Sequence, residues 1–220
     1  GKSALQNNTT ASQNTAVGSD SLKANTDGDG HTAVGYQAVL SNTTGHNLTG
    51  IGWNALRSNT TGDNNTAVGL QSSYSNTTGT NNTSVGVNSL RLNTVEHNNT
   101  AIGRNVLENN TVSDNTGIGY NALTANTTGT KNTAVGTIAL DANTTANKNT
   151  AVGYSSMSST TTGADNTAVG SFTLNANTQG GNNVAVGQNA LGSNTTGNHN
   201  VGLGSLALDA NTNGDNSTAV

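Results

Sequence analysis

The residues best suited to bind a metal or move a proton are His31, His46, His97 and His199. None has a partner at the i+3 or i+4 spacing that brings two ligands to one face of a helix, so they read as solvated turn residues rather than a metal cluster. Asp27-Gly28-Asp29-Gly30 resembles a short calcium-binding turn, but a calcium-loaded roll repeats such acids on every coil and this chain carries them once. Serines are plentiful without a Gly-x-Ser-x-Gly elbow, and the few carboxylates are scattered, so neither a nucleophilic triad nor an acid–base pair can be placed. The expectation is a protein that is not an enzyme and needs no metal or cofactor. Sequons such as Asn59-Thr60-Thr61 arise from an internal repeat and would matter only in a eukaryotic secretory setting.

A second kind of chemistry is surface contact. Tyr36, Trp53, Leu70, Val87 and Arg104 occupy one equivalent position in five consecutive repeats, always directly after a glycine. Side chains at this position vary freely, as solvent-facing ones do. The five together form a patch that could dock a sugar, a protein or a neighbouring chain, or simply be ordinary surface.

What must position these residues is a repeat of unusual regularity. Gly1, Gly18, Gly35, Gly52, Gly69, Gly86, Gly103, Gly119, Gly136, Gly153, Gly170, Gly187 and Gly204 are seventeen residues apart, except for one sixteen-residue step from Gly103 to Gly119. Asn132-Thr133-Ala134-Val135-Gly136 is a typical closing stretch. The residue before the glycine is always aliphatic, as in Val17, Ile51 and Leu203, and is expected to be core. One place earlier stand only small residues, such as Ala16, Gly50 and Ser84, where something packs too closely for valine. The alternation reads as a strand with Thr and Val on one face and Ala on the other. The invariant glycine implies a positive φ or a close backbone approach.

A second strand is expected around Ala122-Leu123-Thr124. Its apolar position is Leu in most repeats, with Ser73 the polar exception and Tyr74 a candidate substitute. Three residues later an Asn recurs from Asn8 to Asn211, failing only at Thr160, and such a column can hydrogen-bond from rung to rung. The Thr that follows, from Thr9 to Thr212, never fails.

These features predict an all-β fold, a parallel β-solenoid of thirteen coils of about seventeen residues with two short strands each, spanning residues 1–220 as one array roughly 60 Å long. Helices are excluded by the abundance of Asn, Thr, Gly and Val in so short a period. Only 8% of residues are charged and 30% hydrophobic, which permits a thin core and no large one. The formal charge of −4 is too small for the disorder that low hydrophobicity otherwise suggests. Seven basic against eleven acidic residues, evenly spread, argue against nucleic acid as a partner, and no apolar run is long enough to insert in a membrane. Uncapped ends suggest a segment of a longer fibre.

Asn-Thr-Ala-Val-Gly resembles the Ser-Val-Ala-Ile-Gly strand motif of trimeric autotransporter adhesin heads. The longer runs from Asn132 to Leu140 and from His31 to Val39 resemble repeat arrays of phage tail fibres. The resemblance implies a left-handed β-roll, three copies about one axis, and a place outside the cell, on a cell surface or on a virion. It also implies an interchain contact through the small-residue ladder Ala16, Ala33, Ala67, Ala101, Ala134, Ala151, Ala168 and Ala185. The leading function is then a structural and adhesive fibre that assembles with itself, by trimerising or by filament formation, and touches a host glycan or protein. The alternative is an ice-binding solenoid using the Thr9 to Thr212 ladder, and a third is a glycan-cleaving tailspike, which would need paired carboxylates in a groove.

Overall fold

The computed structural model describes residues 1–220 and divides them into two compact units, Gly1–Ser113 and Asp114–Val220. Both are built the same way. The first carries β1 (Thr15–Val17), β2 (Thr32–Val34), β3 (Thr49–Ile51), β4 (Thr66–Val68), β5 (Thr83–Val85) and β6 (Thr100–Ile102). The second carries β7 (Thr116–Ile118), β8 (Thr133–Val135), β9 (Thr150–Val152), β10 (Thr167–Val169), β11 (Val184–Val186), β12 (Val201–Leu203) and β13 (Thr218–Ala219). Within each unit every strand lies parallel to the next in sequence, with each residue beside the one seventeen places on. Thr15 pairs with Thr32, Ala16 with Ala33 and Val17 with Val34 in the first unit, and Val135 pairs with Val152 in the second. Each unit is therefore an all-β parallel solenoid in which like residues form columns.

The second predicted strand is absent, and the coil carries one strand only. In its place runs a series of turns with left-handed backbone at the second and fourth residues after each marker glycine, as in Asp20 (φ 57) and Leu22 (φ 50). The turns still bond from coil to coil: Leu22 N–H donates to Ala38 O at 3.0 Å and Ala24 N–H to Leu40 O at 3.0 Å. Left-handed backbone costs an L-residue roughly 1–2 kcal/mol. Complete burial of a leucine side chain, about 1.5–3 kcal/mol, offsets that cost at this position. Leu22, Leu56, Leu90, Leu123, Leu140 and Leu191 are all fully buried.

The small-residue column faces those leucines. Ala33, Ala67, Ala101, Ala134, Ala151, Ala168 and Ala185 are fully buried, and Ala16 packs against the same core from its edge. The aliphatic residue before the glycine, expected in the core, points outward instead: Val17 is 56% exposed and Ile51 38%. Alternation along the strand is as expected, but its sense is reversed. The leucines fill so much of the narrow interior that the strand can contribute only a methyl group. Gly50 shows how tight the fit is, because a Cβ there would lie 2.5 Å from Val39 Cγ2.

The marker glycine is required for two reasons together. Gly18 has φ 135, a region closed to side chains, and a Cβ on it would strike the carbonyl oxygen of Gly35 in the next coil.

Candidate functional site

Two columns of buried asparagine run through the solenoid interior. In the first, Asn42 Nδ2 donates to Asn25 Oδ1 at 2.8 Å and to Gly45 O at 3.0 Å, and Asn59 repeats the pattern on Asn42 and Gly62. Each amide thus closes its own turn and ties itself to the preceding coil. The column fails where the sequence does, at Thr160. Asn143 Oδ1 and Thr160 Oγ1 are both buried without a hydrogen-bond partner, because a threonine cannot reach where an asparagine amide would. The second column, one residue before each strand, was not foreseen. Asn132 Oδ1 accepts the Asn149 N–H at 3.0 Å while Asn132 Nδ2 donates to Ala146 O at 2.8 Å, and Asn149, Asn166 and Asn183 continue the series.

His31 belongs to this second column and is not a solvated turn residue. Its side chain is 1% exposed, and its Nδ1 accepts the Leu48 N–H at 3.2 Å in the way an asparagine oxygen does elsewhere. Burial pushes its pKa down from 6.5 to about 4, helped by nearby His46 and opposed by Asp29, the Gly45 carbonyl and Asp63. The neutral ring is thus the folded form. His46, His97 and His199 are exposed. His46 Nδ1 accepts the Asp29 N–H at 3.1 Å, and His97 Nδ1 accepts the Thr80 N–H at 2.9 Å, so these rings serve as acceptors between loops. In the Asp27 to Gly30 turn both carboxylates are engaged with the preceding coil: Asp27 accepts from Thr10 Oγ1 and Asp29 from Ser12 N–H.

Hydroxyls of the Thr9 to Thr212 ladder also bond from coil to coil. Thr26, Thr43 and Thr60 each donate their hydroxyl at 3.1 Å to the carbonyl of the threonine one coil on. Ser73, the polar exception in the leucine column, is buried rather than replaced by Tyr74. Its Oγ lies 2.8 Å from Ser84 Oγ, which also receives a 2.6 Å bond from Ser72, and Ser89 Oγ lies 2.9 Å from Ser72. Four serines thus satisfy one another where neighbouring coils pack Leu on Ala. Part of the cluster shows in the sequence, since Ser72 and Ser89 occupy equivalent positions in neighbouring repeats and Ser84 is the one serine in the small-residue column. Tyr74 instead lies under the Arg57 guanidinium, 5.6 Å from the ring centroid.

The surface candidate survives as a place on the molecule. Tyr36, Trp53 and Leu70 are each exposed by more than 40%, Arg104 is exposed and Val87 half-buried. The Tyr36 and Trp53 rings stack, with centroids 6.5 Å apart and planes 16° from parallel. Beside them runs the outward aliphatic column Val34, Ile51, Val68, Val85 and Ile102. The second unit repeats the arrangement, with Tyr120 and Tyr154 at the glycine corner and Ile118, Val135, Val152, Val169 and Val186 beside them. No residue of the two outward strand columns, threonine or aliphatic, is charged. The small-residue ladder offers nothing to a second chain, because its methyl groups are enclosed by the coil that bears them.

No protein-family model matches this chain, and no curated protein matches it.

Proposed function

We propose that the chain is a structural and adhesive segment of an extracellular or virion fibre, a stiff β-solenoid that meets copies of itself along its outward strand face. The observation that carries the reading is the unbroken aliphatic column on that face in each unit, flanked by tyrosine and tryptophan and free of charge. An apolar column bordered by aromatic rings supports a contact with another protein where the two together enlarge the patch. Within each unit stiffness follows from the columns, since each coil is tied to the next by strand pairing, by turn carbonyls and by buried amides. Six three-residue strands about 4.8 Å apart present roughly 290 Å², short of the roughly 800 Å² per partner of a stable interface. The corner residues, Trp53 and Tyr36 among them, therefore have to join the contact.

The test is the mass in solution, by light scattering across a dilution series. The expected result is a multiple of the chain mass that falls toward the monomer when Ile51→Lys and Val169→Lys are combined. A wild-type monomer at every concentration would remove the self-association part of the reading. Thermal hysteresis on the same sample separates the fibre from the ice-binding alternative, which a clear freezing gap would favour.

A further inference from the structure

In the column one residue before each strand, the first unit runs Asn14, His31, Leu48, Asn65, so the one ionisable member is followed directly by the one apolar member. Asn14 Oδ1 accepts the His31 N–H at 2.9 Å, and His31 Nδ1 accepts the Leu48 N–H at 3.2 Å. There the chain of side-chain acceptors stops, because Leu48 has none to offer the next coil. It resumes with Asn65 Oδ1, which accepts the Asn82 N–H at 2.9 Å. The far side of the ring is confined as well: Nε2 lies 3.2 Å from Asn42 Nδ2, against the Gly45 carbonyl.

With Nδ1 accepting the Leu48 N–H, the neutral ring carries its proton on Nε2, turned to the Gly45 carbonyl, while Asn42 Nδ2 gives its own hydrogens to Asn25 Oδ1 and Gly45 O. A second proton must go to Nδ1, where it would meet the Leu48 N–H head on, donor against donor. We propose that the His31–Leu48 junction is an acid-operated opening point, at which protonation of the buried ring releases the Leu48 amide and parts the coil bearing His31 from the coil bearing Leu48. The charged groups around the ring set how readily it opens. Asp29 on its own coil and Asp63 two coils on favour the added proton, whereas His46, once charged, opposes it. The same position in the second unit holds Asn115, Asn132, Asn149, Asn166, Asn183 and Asn200, none of which ionises, so the device is confined to one place.

Residue-resolved amide hydrogen exchange tests it, with rates corrected for the intrinsic effect of pH. Leu48 protection in the wild type should fall by up to about two orders of magnitude between about pH 6.5 and 4, while Asn149 keeps its own. His31→Asn should make Leu48 protection independent of pH, and His46→Asn should leave the wild-type slope in place. A flat wild-type profile, an unchanged slope in His31→Asn, or loss of the slope in His46→Asn would each overturn the proposal. Should His31→Asn fail to fold, the ring is followed directly by NMR. Its titration should coincide with the loss of Leu48 protection, and opening while the ring stays neutral would overturn the proposal equally.

Discussion

The asparagine column that lies one residue before each strand is continuous in the second unit and interrupted in the first. From Asn115 to Asn200 every member presents an oxygen to the amide of the next and an N–H₂ to a turn carbonyl of the next coil, all out of water. In the first unit His31 imitates the asparagine and Leu48 abandons it, yet the coils keep the same register. Strand pairing and the Leu-on-Ala core are therefore enough to set the register. The amide columns add stability and, where they change chemistry, sensitivity to conditions.

The largest effect is expected from breaking the intact column. Asn149→Ala would strand the buried Asn166 N–H and remove a donor from Gly163 O, at a cost of about 2–4 kcal/mol. Denaturant unfolding would read this loss, and a change below about 0.5 kcal/mol would mean that the column contributes little. Next comes acid. His31 is neutral when folded and its pKa is lowered, so its contribution is fully present above about pH 6.5 and is lost as pH falls toward 4. The loss amounts to at most about 3 kcal/mol and should be absent in His31→Asn.

Smaller gains are expected from repair. Thr160→Asn would give the orphaned Asn143 Oδ1 a donor and the Gly163 carbonyl another, raising stability by about 1 kcal/mol. A destabilised Thr160→Asn variant would show that the backbone has adapted to threonine there. The smallest effect belongs to the outward column, where Val169→Thr should change unfolding of the isolated chain by no more than about 0.5 kcal/mol. A loss several times larger would place that side chain in a core after all.

These outcomes bear on how much could be read before the fold was known. The seventeen-residue spacing of Gly18, Gly35 and Gly52 was enough for in-register parallel stacking, and the Asn8 to Asn211 recurrence for an amide column. The sense of the strand was not legible. Thr-Ala-Val alternates under either orientation, and only the volume of the facing leucines decides that the alanine goes inward. Leu22 looked like a strand residue because its left-handed φ leaves no trace in its identity; a leucine tolerates that backbone here only because it is wholly buried. His31 looked solvated because its role depends on Leu48 and Asn42, neither of which is near it in sequence. Of the contact candidates, Tyr36, Trp53, Leu70 and Arg104 are exposed and Val87 is half-buried. The Ala33 to Ala185 ladder was misplaced by the same reversal that put Val17 inside.

The central claim, that residues seventeen apart lie side by side with valine outward and alanine inward, is tested most directly by engineered disulfides, since the chain has no cysteine of its own. Val135→Cys with Val152→Cys should close an intrachain bond under mild oxidation, the two positions being register partners on one face about 4.8 Å apart. Val135→Cys with Ala151→Cys should leave both thiols free, because their side chains leave the strand on opposite faces. Bond formation in the second pair and not the first would contradict the account.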